Sequence, residues 1–347
     1  MNIGIVDADL IDEGTRFPNL AAMKIAGFWQ QKGGNVRLCL NFVDACECEK
    51  IFVSKVFTKT KLPDWLSLLS DRCEFGGTGF SLQNAAPLPD EIEHSKPLYD
   101  LYKPFVETFK SPTSWLDSYT KSSIGFTSRG CFRRCPFCVN KNKKRSERWS
   151  PVKEFLEAAR PTIELLDDNV FACKDWQEIF DELNETGKRF VFKQGLDIRL
   201  MSEMKSRALQ EARYKGEIIF AFDNANEEKE FRRGAERFRT HCNKAAKAYV
   251  LTGFYKSGVD EIRDVFKRLA ILSEYRILPY LMRHEKYKSD LLSGVYVELA
   301  RWINQPGFYK KMSFQQFVEK GASKKNKQVC EDVGSILRKE FSANYWE

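Results

Sequence analysis

The feature that most restricts what this 347-residue chain can form is a group of three cysteines, Cys131, Cys135 and Cys138. Their spacing of three and then two residues places three thiols in one short loop. Thiolates are soft ligands that suit iron–sulfur clusters, and three of them can hold three irons of a cubane. The fourth iron then lacks a local ligand and can accept a small molecule. The polar neighbours Arg133 and Arg134 argue against a group of buried core cysteines.

The same three thiols could instead hold zinc with a distant fourth ligand. The chain has ten cysteines but only three histidines, so a histidine-rich zinc or iron site is not expected. Cys46 and Cys48 lie in an acidic loop and lack the usual spacing of zinc ligands, whereas Cys39 is expected in the core. Cys173 follows a predicted strand, where it is either a packing residue or a functional thiol.

Apolar runs and amphipathic segments alternate on both sides of the cysteine loop, which predicts an α/β fold. Residues 1–82 predict a small Rossmann-like parallel-sheet domain. The proline-rich segment 83–122 predicts an ordered linker on the surface. Six strands alternating with helices predict a partial (β/α)6 barrel over 123–285, capped by a C-terminal helical region over 286–347. Within the barrel, a serine and a proline at the start of 150–160 predict a capped helix.

Composition describes an ordinary globular protein, with 43% hydrophobic and 30% charged residues. The sequence has no apolar run of the roughly 20 residues that a membrane span needs and no N-terminal secretory signal, so a cytoplasmic location is expected. Lysine and arginine outnumber aspartate and glutamate by 56 to 48, for a net charge of +8. This surplus permits a polyanionic partner such as RNA.

The motif GCFRRCPFC over 130–138, with Phe137 before the last cysteine, resembles the signature of the radical S-adenosylmethionine (SAM) superfamily. The segments FPNLAAMK, FGGTGF, IELLDDNVFAC and QGLDIRL, in that order, are similar to small bacterial and phage members of little known function. The resemblance covers 1–200 well and the remainder loosely. It implies a 4Fe–4S cluster on Cys131, Cys135 and Cys138, which are then both metal ligands and catalytic residues.

The resemblance also implies the chemistry. SAM chelates the open iron, one electron cleaves it, and the resulting 5′-deoxyadenosyl radical abstracts hydrogen from a substrate. An external electron donor such as flavodoxin or ferredoxin is implied. Methylation, methylthiolation, sulfur insertion and radical rearrangement all stay open as the reaction.

Polar residues at the ends of predicted barrel strands are the candidate cofactor ligands. The resemblance implies that polar residues after the second strand lie near the methionyl ammonium, which a carboxylate suits. Arg199 suits the methionyl carboxylate, and Gln194 or Asp197 suits a hydroxyl. The resemblance implies that the backbone at Thr252 and Gly253 approaches adenine. The full set is Phe137, Asp167, Asp168, Asn169, Gln194, Asp197, Arg199, Asp223, Thr252 and Gly253.

A basic run directly after the cysteine loop suggests the substrate. Basic side chains and a tryptophan suit a phosphodiester backbone and a stacked base, so RNA is the first hypothesis and a peptide the second. A solvated loop is the alternative interpretation. The candidate substrate residues are Lys143, Lys144, Arg145, Arg148 and Trp149.

The segment 1–82 resembles the cobalamin-binding fold that precedes many such barrels. The usual Asp-x-His-x-x-Gly motif is absent, and residues 1–90 contain no histidine. We therefore expect a sheet that supports the barrel or holds substrate. A cobalamin-dependent radical SAM methyltransferase is one alternative, and a non-catalytic module that binds metal or nucleic acid is another.

Overall fold

The computed structural model describes residues 1–82, 85–111, 113–140 and 144–337. Its internal contacts divide the chain into two compact units, each described here by itself. The first unit comprises Met1–Arg134, Cys138–Asp168 and Asp175–Val191, and the second comprises Cys135–Phe137, Asn169–Lys174 and Phe192–Glu347.

The first unit begins with a four-stranded parallel sheet, as predicted. The strands are β1 (Asn2–Asp7), β2 (Asn35–Leu38), β3 (Lys50–Ser54) and β4 (Cys73–Gly76), in the order β2-β1-β3-β4. The helices here are α1 (Ala8–Glu13) and α2 (Leu20–Gln31). Asn19 caps α2 through its side chain, which accepts the Ala22 N–H.

The proline-rich segment forms three one-turn helices, α3 (Asp90–Glu93), α4 (Lys103–Val106) and α5 (Asp117–Thr120). It is more than a surface linker, because several of its aromatic and aliphatic side chains are buried in one core with Ile3 and Met23. Proline limits helix length here, while the apolar side chains between the prolines still pack. The buried side chains are Tyr99, Leu101, Tyr102, Leu116 and Tyr119.

Two further parallel sheets follow, each in chain order. Their strands are β5 (Ser122–Gly125), β8 (Thr162–Leu165), β9 (Arg189–Phe192), β10 (Ile218–Ala221), β11 (Ala246–Thr252) and β12 (Ile277–Arg283), with β5-β8-β9 in one sheet and β10-β11-β12 in the other. The short antiparallel pair β6 (Ser128–Arg129) and β7 (Glu147–Arg148) flanks the cysteine loop in sequence. A parallel bridge joins Leu196, after β9, to Phe220 in β10.

Helices follow the strands from β8 onward, as the sequence predicts for a (β/α)6 arrangement, whereas the described residues form no α-helix between β5 and β8. They are α6 (Trp176–Glu185), α7 (Glu203–Glu211), α8 (Glu228–His241) and α9 (Gly258–Glu274), followed by α10 (Ser293–Ile303), α11 (Pro306–Tyr309), α12 (Phe314–Gly321) and α13 (Lys324–Leu337). The predicted α/β class with parallel sheets is confirmed. Across the described residues, no helix has both the length and the apolar character of a membrane span.

The capped helix predicted over 150–160 is wrong. Only a 3-10 turn forms, at Val152–Glu154. A Cβ at Gly125 would lie 2.4 Å from the Phe155 ring, so this ring packs directly on the β5 backbone. Tyr99 donates its hydroxyl proton to the Phe155 carbonyl at 2.5 Å, and Arg160 binds the Ser122 carbonyl at 2.9 Å. These tertiary contacts override the local helix signal.

Candidate functional site

The cysteine loop begins immediately after β6. Gly130 has a φ of 97°, in the region that favours glycine, which allows the chain to turn sharply before Cys131. Cys131, Cys135 and Cys138 form no disulfide bond and are half-buried. The Arg133 N–H points at the Cys131 sulfur and the Asn140 N–H at the Cys138 sulfur, each at 3.4 Å. Backbone donors of this kind stabilise thiolates, as cluster ligation requires.

Two aspartates after β8 bind the backbone segment that leads into the cysteine loop. Asp167 is buried and accepts four hydrogen bonds, from the backbone N–H and hydroxyl groups of Thr127 and Ser128, at 2.6–3.0 Å. Asp168 accepts the Gly130 N–H at 2.7 Å. Burial raises the pKa of Asp167 to about 6, although its hydrogen bonds act in the opposite direction. Asp167 is thus a structural anchor of the loop, and Asp168 holds the residue that precedes Cys131.

Residues after β9 form a charged group in the second unit. Arg199 donates from Nε to Asp197 Oδ1 at 2.7 Å and pairs with Glu227 through its terminal nitrogen. Burial alone would lower the pKa of Arg199, but Asp197, Glu227 and the charge of Cys135 outweigh it and raise that pKa. Asn169 donates to Asp197 at 3.4 Å. The structure therefore brings Asn169, Asp197 and Arg199 together.

No protein-family model and no curated protein matches the sequence. Among solved structures, the radical SAM methyltransferase TsrM from Kitasatospora setae, with cobalamin and a 4Fe–4S cluster bound, is similar at a TM-score of 0.52 and 10% identity. The match covers 81% of this chain and 72% of that chain. The chain has the radical SAM fold.

Structures of SuiB from Streptococcus suis are also similar, at TM-scores too low to bear on the fold. SuiB itself matches at 0.36 with 11% identity, covering 58% of this chain and 57% of that chain. SuiB bound to its precursor peptide SuiA matches at 0.37 with 11% identity, covering 76% and 67%.

The donor set of this radical SAM fold suits the 4Fe–4S cluster that the motif implies. Three uncrosslinked thiols lie in one loop, and two of their sulfurs face backbone N–H groups. In the part of the chain that the structure describes, no three His, Cys, Asp or Glu side chains converge as ligands of a single ion would. A cubane makes no such demand, because each thiolate binds a different iron.

The carboxyl ends of β10 and β11 are held by charges that the sequence analysis missed. Arg268 is 1% exposed and donates to the Phe222, Asp223 and Leu251 carbonyls at 2.7–3.1 Å. It pairs with the buried Glu261, whose carboxylate also accepts the Thr252 hydroxyl proton at 2.8 Å. The signal was available, since charged residues seven apart on α9 interrupt an otherwise apolar face.

The remaining predicted cofactor residues differ in their surroundings. Asp223 is half-buried and accepts the Leu251 N–H at 3.3 Å, and burial raises its pKa to about 6. Thr252 is buried and uses its hydroxyl on Glu261, whereas Gln194 is exposed. Gly253 has a φ of 75°, and a Cβ there would lie 2.8 Å from the Cβ of Tyr287, so only glycine fits this position.

An aromatic group lies around Phe137 in the second unit. Its ring is 5.6 Å from that of Phe254 and 6.1 Å from that of Tyr255. Burial raises the pKa of Tyr255 to about 12, and the charges of Cys135 and Asp223 add to this shift. Sequence reasoning did not identify Phe254 or Tyr255 as neighbours of the cysteine loop.

The basic run after the loop is only partly available to a substrate. Lys143 lies outside the described residues, and Lys144 and Arg145 are exposed. Arg148 is already ion-paired with Glu182. The Trp149 indole donates to Glu93 at 3.0 Å, so it anchors the chain.

Several cysteines outside the cysteine loop are buried among core residues. Cys39, Cys48 and Cys173 are each at most 2% exposed. Cys39 and Cys48 share an apolar cluster of the first unit with Val6 and Ile51. The core position expected for Cys39 is confirmed.

Proposed function

We propose that this chain is a radical SAM enzyme that holds a 4Fe–4S cluster on Cys131, Cys135 and Cys138. The observation that carries the proposal is the three-cysteine loop after the first barrel strands of a radical SAM fold, with N–H donors on two of its sulfurs. When bound, the reduced cluster would supply the electron that cleaves SAM to methionine and a 5′-deoxyadenosyl radical.

The chain's own residues position and shield these groups. Asp167 and Asp168 accept hydrogen bonds from the backbone N–H groups of Thr127 and Gly130. These bonds fix the position of the chain just before Cys131. Arg199 is oriented by Asp197 and Glu227 and retains further N–H donors for a carboxylate. Gly253 offers backbone at a strand end where a side chain would clash.

Iron content and SAM cleavage test this function. Anaerobically reconstituted protein should contain about four irons per chain and, once reduced, slowly release 5′-deoxyadenosine. Changing Cys131, Cys135 or Cys138 to Ala should remove most of the iron, whereas the buried packing residue Cys173→Ala, as control, should retain it. Stoichiometric zinc without iron after anaerobic purification would contradict the proposal.

A macromolecular substrate is the working hypothesis, with RNA first and a peptide second. Lys144 and Arg145 support it, since both are exposed close in sequence to the cysteine loop. Arg148 and Trp149 support it less than the sequence suggested, because each is engaged by a carboxylate. A cytoplasmic location and an external flavodoxin or ferredoxin remain part of the proposal.

Cobalamin dependence is the alternative, since TsrM carries cobalamin. Ligands of doubly wound domains bind at the carboxyl edge of the sheet. At that edge Asp9 accepts the Val56 and Phe57 N–H groups and the Thr60 hydroxyl, and Asp7 accepts the Tyr102 hydroxyl. Asp7 and Asp9 are thus hydrogen-bonded within the chain, which supports a reaction that does not use cobalamin. No step of the proposed reaction therefore depends on cobalamin.

A further inference from the structure

A pocket lies in the second unit, at the amino ends of β11 and β12. Its volume is about 880 Å³, within the range of sites that take ligands of nucleotide size. Ala246 and Ile277, which begin the two strands, form part of its wall. Thr252 lies at the other end of β11, six residues or roughly 20 Å from Ala246 at 3.3 Å per residue, and Gly253 follows it. The pocket is therefore separate from the proposed cofactor site.

The charged side chains that line this pocket are all cationic. Arg276, Lys310 and Lys311 line it, and none of the other lining residues is an aspartate or glutamate. Across the described residues, the structure records no ion pair for any of these three side chains. Other cations of this unit do have partners, as Arg268 has Glu261 and Arg301 has Glu298. Three cations facing one cavity without a carboxylate favour an anionic ligand.

Arg276 has an unusual backbone conformation. Its φ of 53° is the only positive value at a non-glycine position among the described residues. Arg239 stabilises this turn by donating to the Tyr275 and Arg276 carbonyls at 2.7 and 2.8 Å. Conformations of this kind persist when the surroundings enforce them, and they concentrate at binding sites. The turn presents the Arg276 side chain at the pocket although a glycine would fit the backbone better.

The lining of the pocket also includes aromatic rings and neutral polar side chains. Tyr309 lines the pocket beside Trp302, with ring centroids 5.0 Å apart. Gln316 accepts the Ser313 N–H through Oε1, which directs its amide nitrogen away from that contact. An aromatic wall, neutral donors and three cations together match the base and the phosphate of a nucleotide.

We propose that this pocket binds a nucleoside phosphate, held by Arg276, Lys310 and Lys311. The same chemistry serves a free nucleotide and a nucleotide unit of an RNA strand. The lining of the pocket does not include the cysteine loop, so the site can be examined in the whole chain with its cluster bound.

Paired charge substitutions test the proposal. The probes are adenosine 5′-monophosphate, followed by calorimetry, and a labelled 12-nucleotide single-stranded RNA, followed by anisotropy. Lys310→Gln/Lys311→Gln should weaken binding of at least one probe by about tenfold or more, since hydrogen bonds to charged groups are lost. Arg276→Gly should weaken it similarly without lowering the melting temperature sharply, because glycine accepts the positive φ.

The matched control is Lys324→Gln/Lys325→Gln, which removes the same charge from exposed residues of α13 that do not line the pocket. Selective loss of monophosphate binding in the pocket variants supports a free-nucleotide site. Selective loss of RNA binding, with weak monophosphate binding throughout, supports an RNA site. Equal effects of the pocket and control pairs, or no binding of either probe at low salt, would overturn the proposal.

Discussion

The buried carboxylate of Asp7 connects separate elements of the first unit. Asp7 is 1% exposed at the end of β1, where it caps α1 through the Leu10 N–H and accepts the Tyr102 hydroxyl at 2.6 Å. Burial raises the pKa of Asp7 to about 6 and raises that of Tyr102 well above its ordinary value. A strand-end aspartate in a Rossmann-like sheet suggests a ligand residue, yet here it joins β1 to the proline-rich segment.

This carboxylate makes stability depend on pH. The folded-state pKa of Asp7, about 6, exceeds the ordinary 3.8, so its stabilising contribution is complete below about pH 4 and is lost as pH rises through 6. Asp7→Asn does not titrate. The free energy of unfolding of wild type minus that of Asp7→Asn should therefore fall between pH 4 and pH 6 and then level off, as measured by urea denaturation. Asp71→Asn, at an exposed position, is the control variant, and a flat difference for Asp7→Asn would contradict the assignment.

Among elements, α9 holds the carboxyl ends of β10 and β11 in place. The fully buried Arg268 joins the ends of β10 and β11 through three carbonyls and compensates Glu261. Its removal leaves those carbonyls without a donor and a carboxylate without a countercharge.

Arg268→Met is expected to lower the free energy of unfolding by about 3–5 kcal/mol in chemical denaturation. Arg263→Met on the same helix removes an exposed pair with Asp260 and should cost at most about 1 kcal/mol. If Arg268→Met does not fold, the double variant Arg268→Met/Glu261→Gln should recover folded protein, because it also removes the unpaired carboxylate. Equal costs for the two single variants would show that the buried network contributes little.

The elements themselves were largely predictable, because hydrophobic periodicity is a local property. The six strands predicted over 123–285 are present, and a helix follows each of them from β8 onward. The helix expected over 150–160 failed because Phe155 fills the space that Gly125 leaves in β5, a contact between distant segments. In the site, the cysteines were evident from spacing alone. The roles of Arg268 and Asp167 were not, since they depend on which backbone groups the fold places beside them.

At the scale of the whole molecule, the surplus of eight positive charges is spread unevenly. Many cations are neutralised locally, as Arg148 is by Glu182 and Lys24 by Glu93. The first unit retains Lys144 and Arg145 as exposed cations after the cysteine loop, and the second has Lys310 and Lys311 at the amino-end pocket. Net charge thus says less about RNA binding than the position of the exposed cations.

If RNA is the substrate, its affinity should fall with salt at a log–log slope of roughly −0.7 per contacted phosphate. Lys144→Ser/Arg145→Ser should flatten that slope by about 1.4, the value for two lost contacts, while leaving the iron content unchanged. Arg148→Ser should flatten it little, because Glu182 already neutralises Arg148, and it should lower stability instead. Lys229→Ser/Arg233→Ser on exposed positions of α8 is the charge-matched control. Anisotropy titrations over a range of potassium chloride concentrations measure the slopes. Negligible RNA affinity at low salt would exclude RNA and leave a peptide as the substrate hypothesis. Binding of a peptide that carries charges of both signs need not depend strongly on salt.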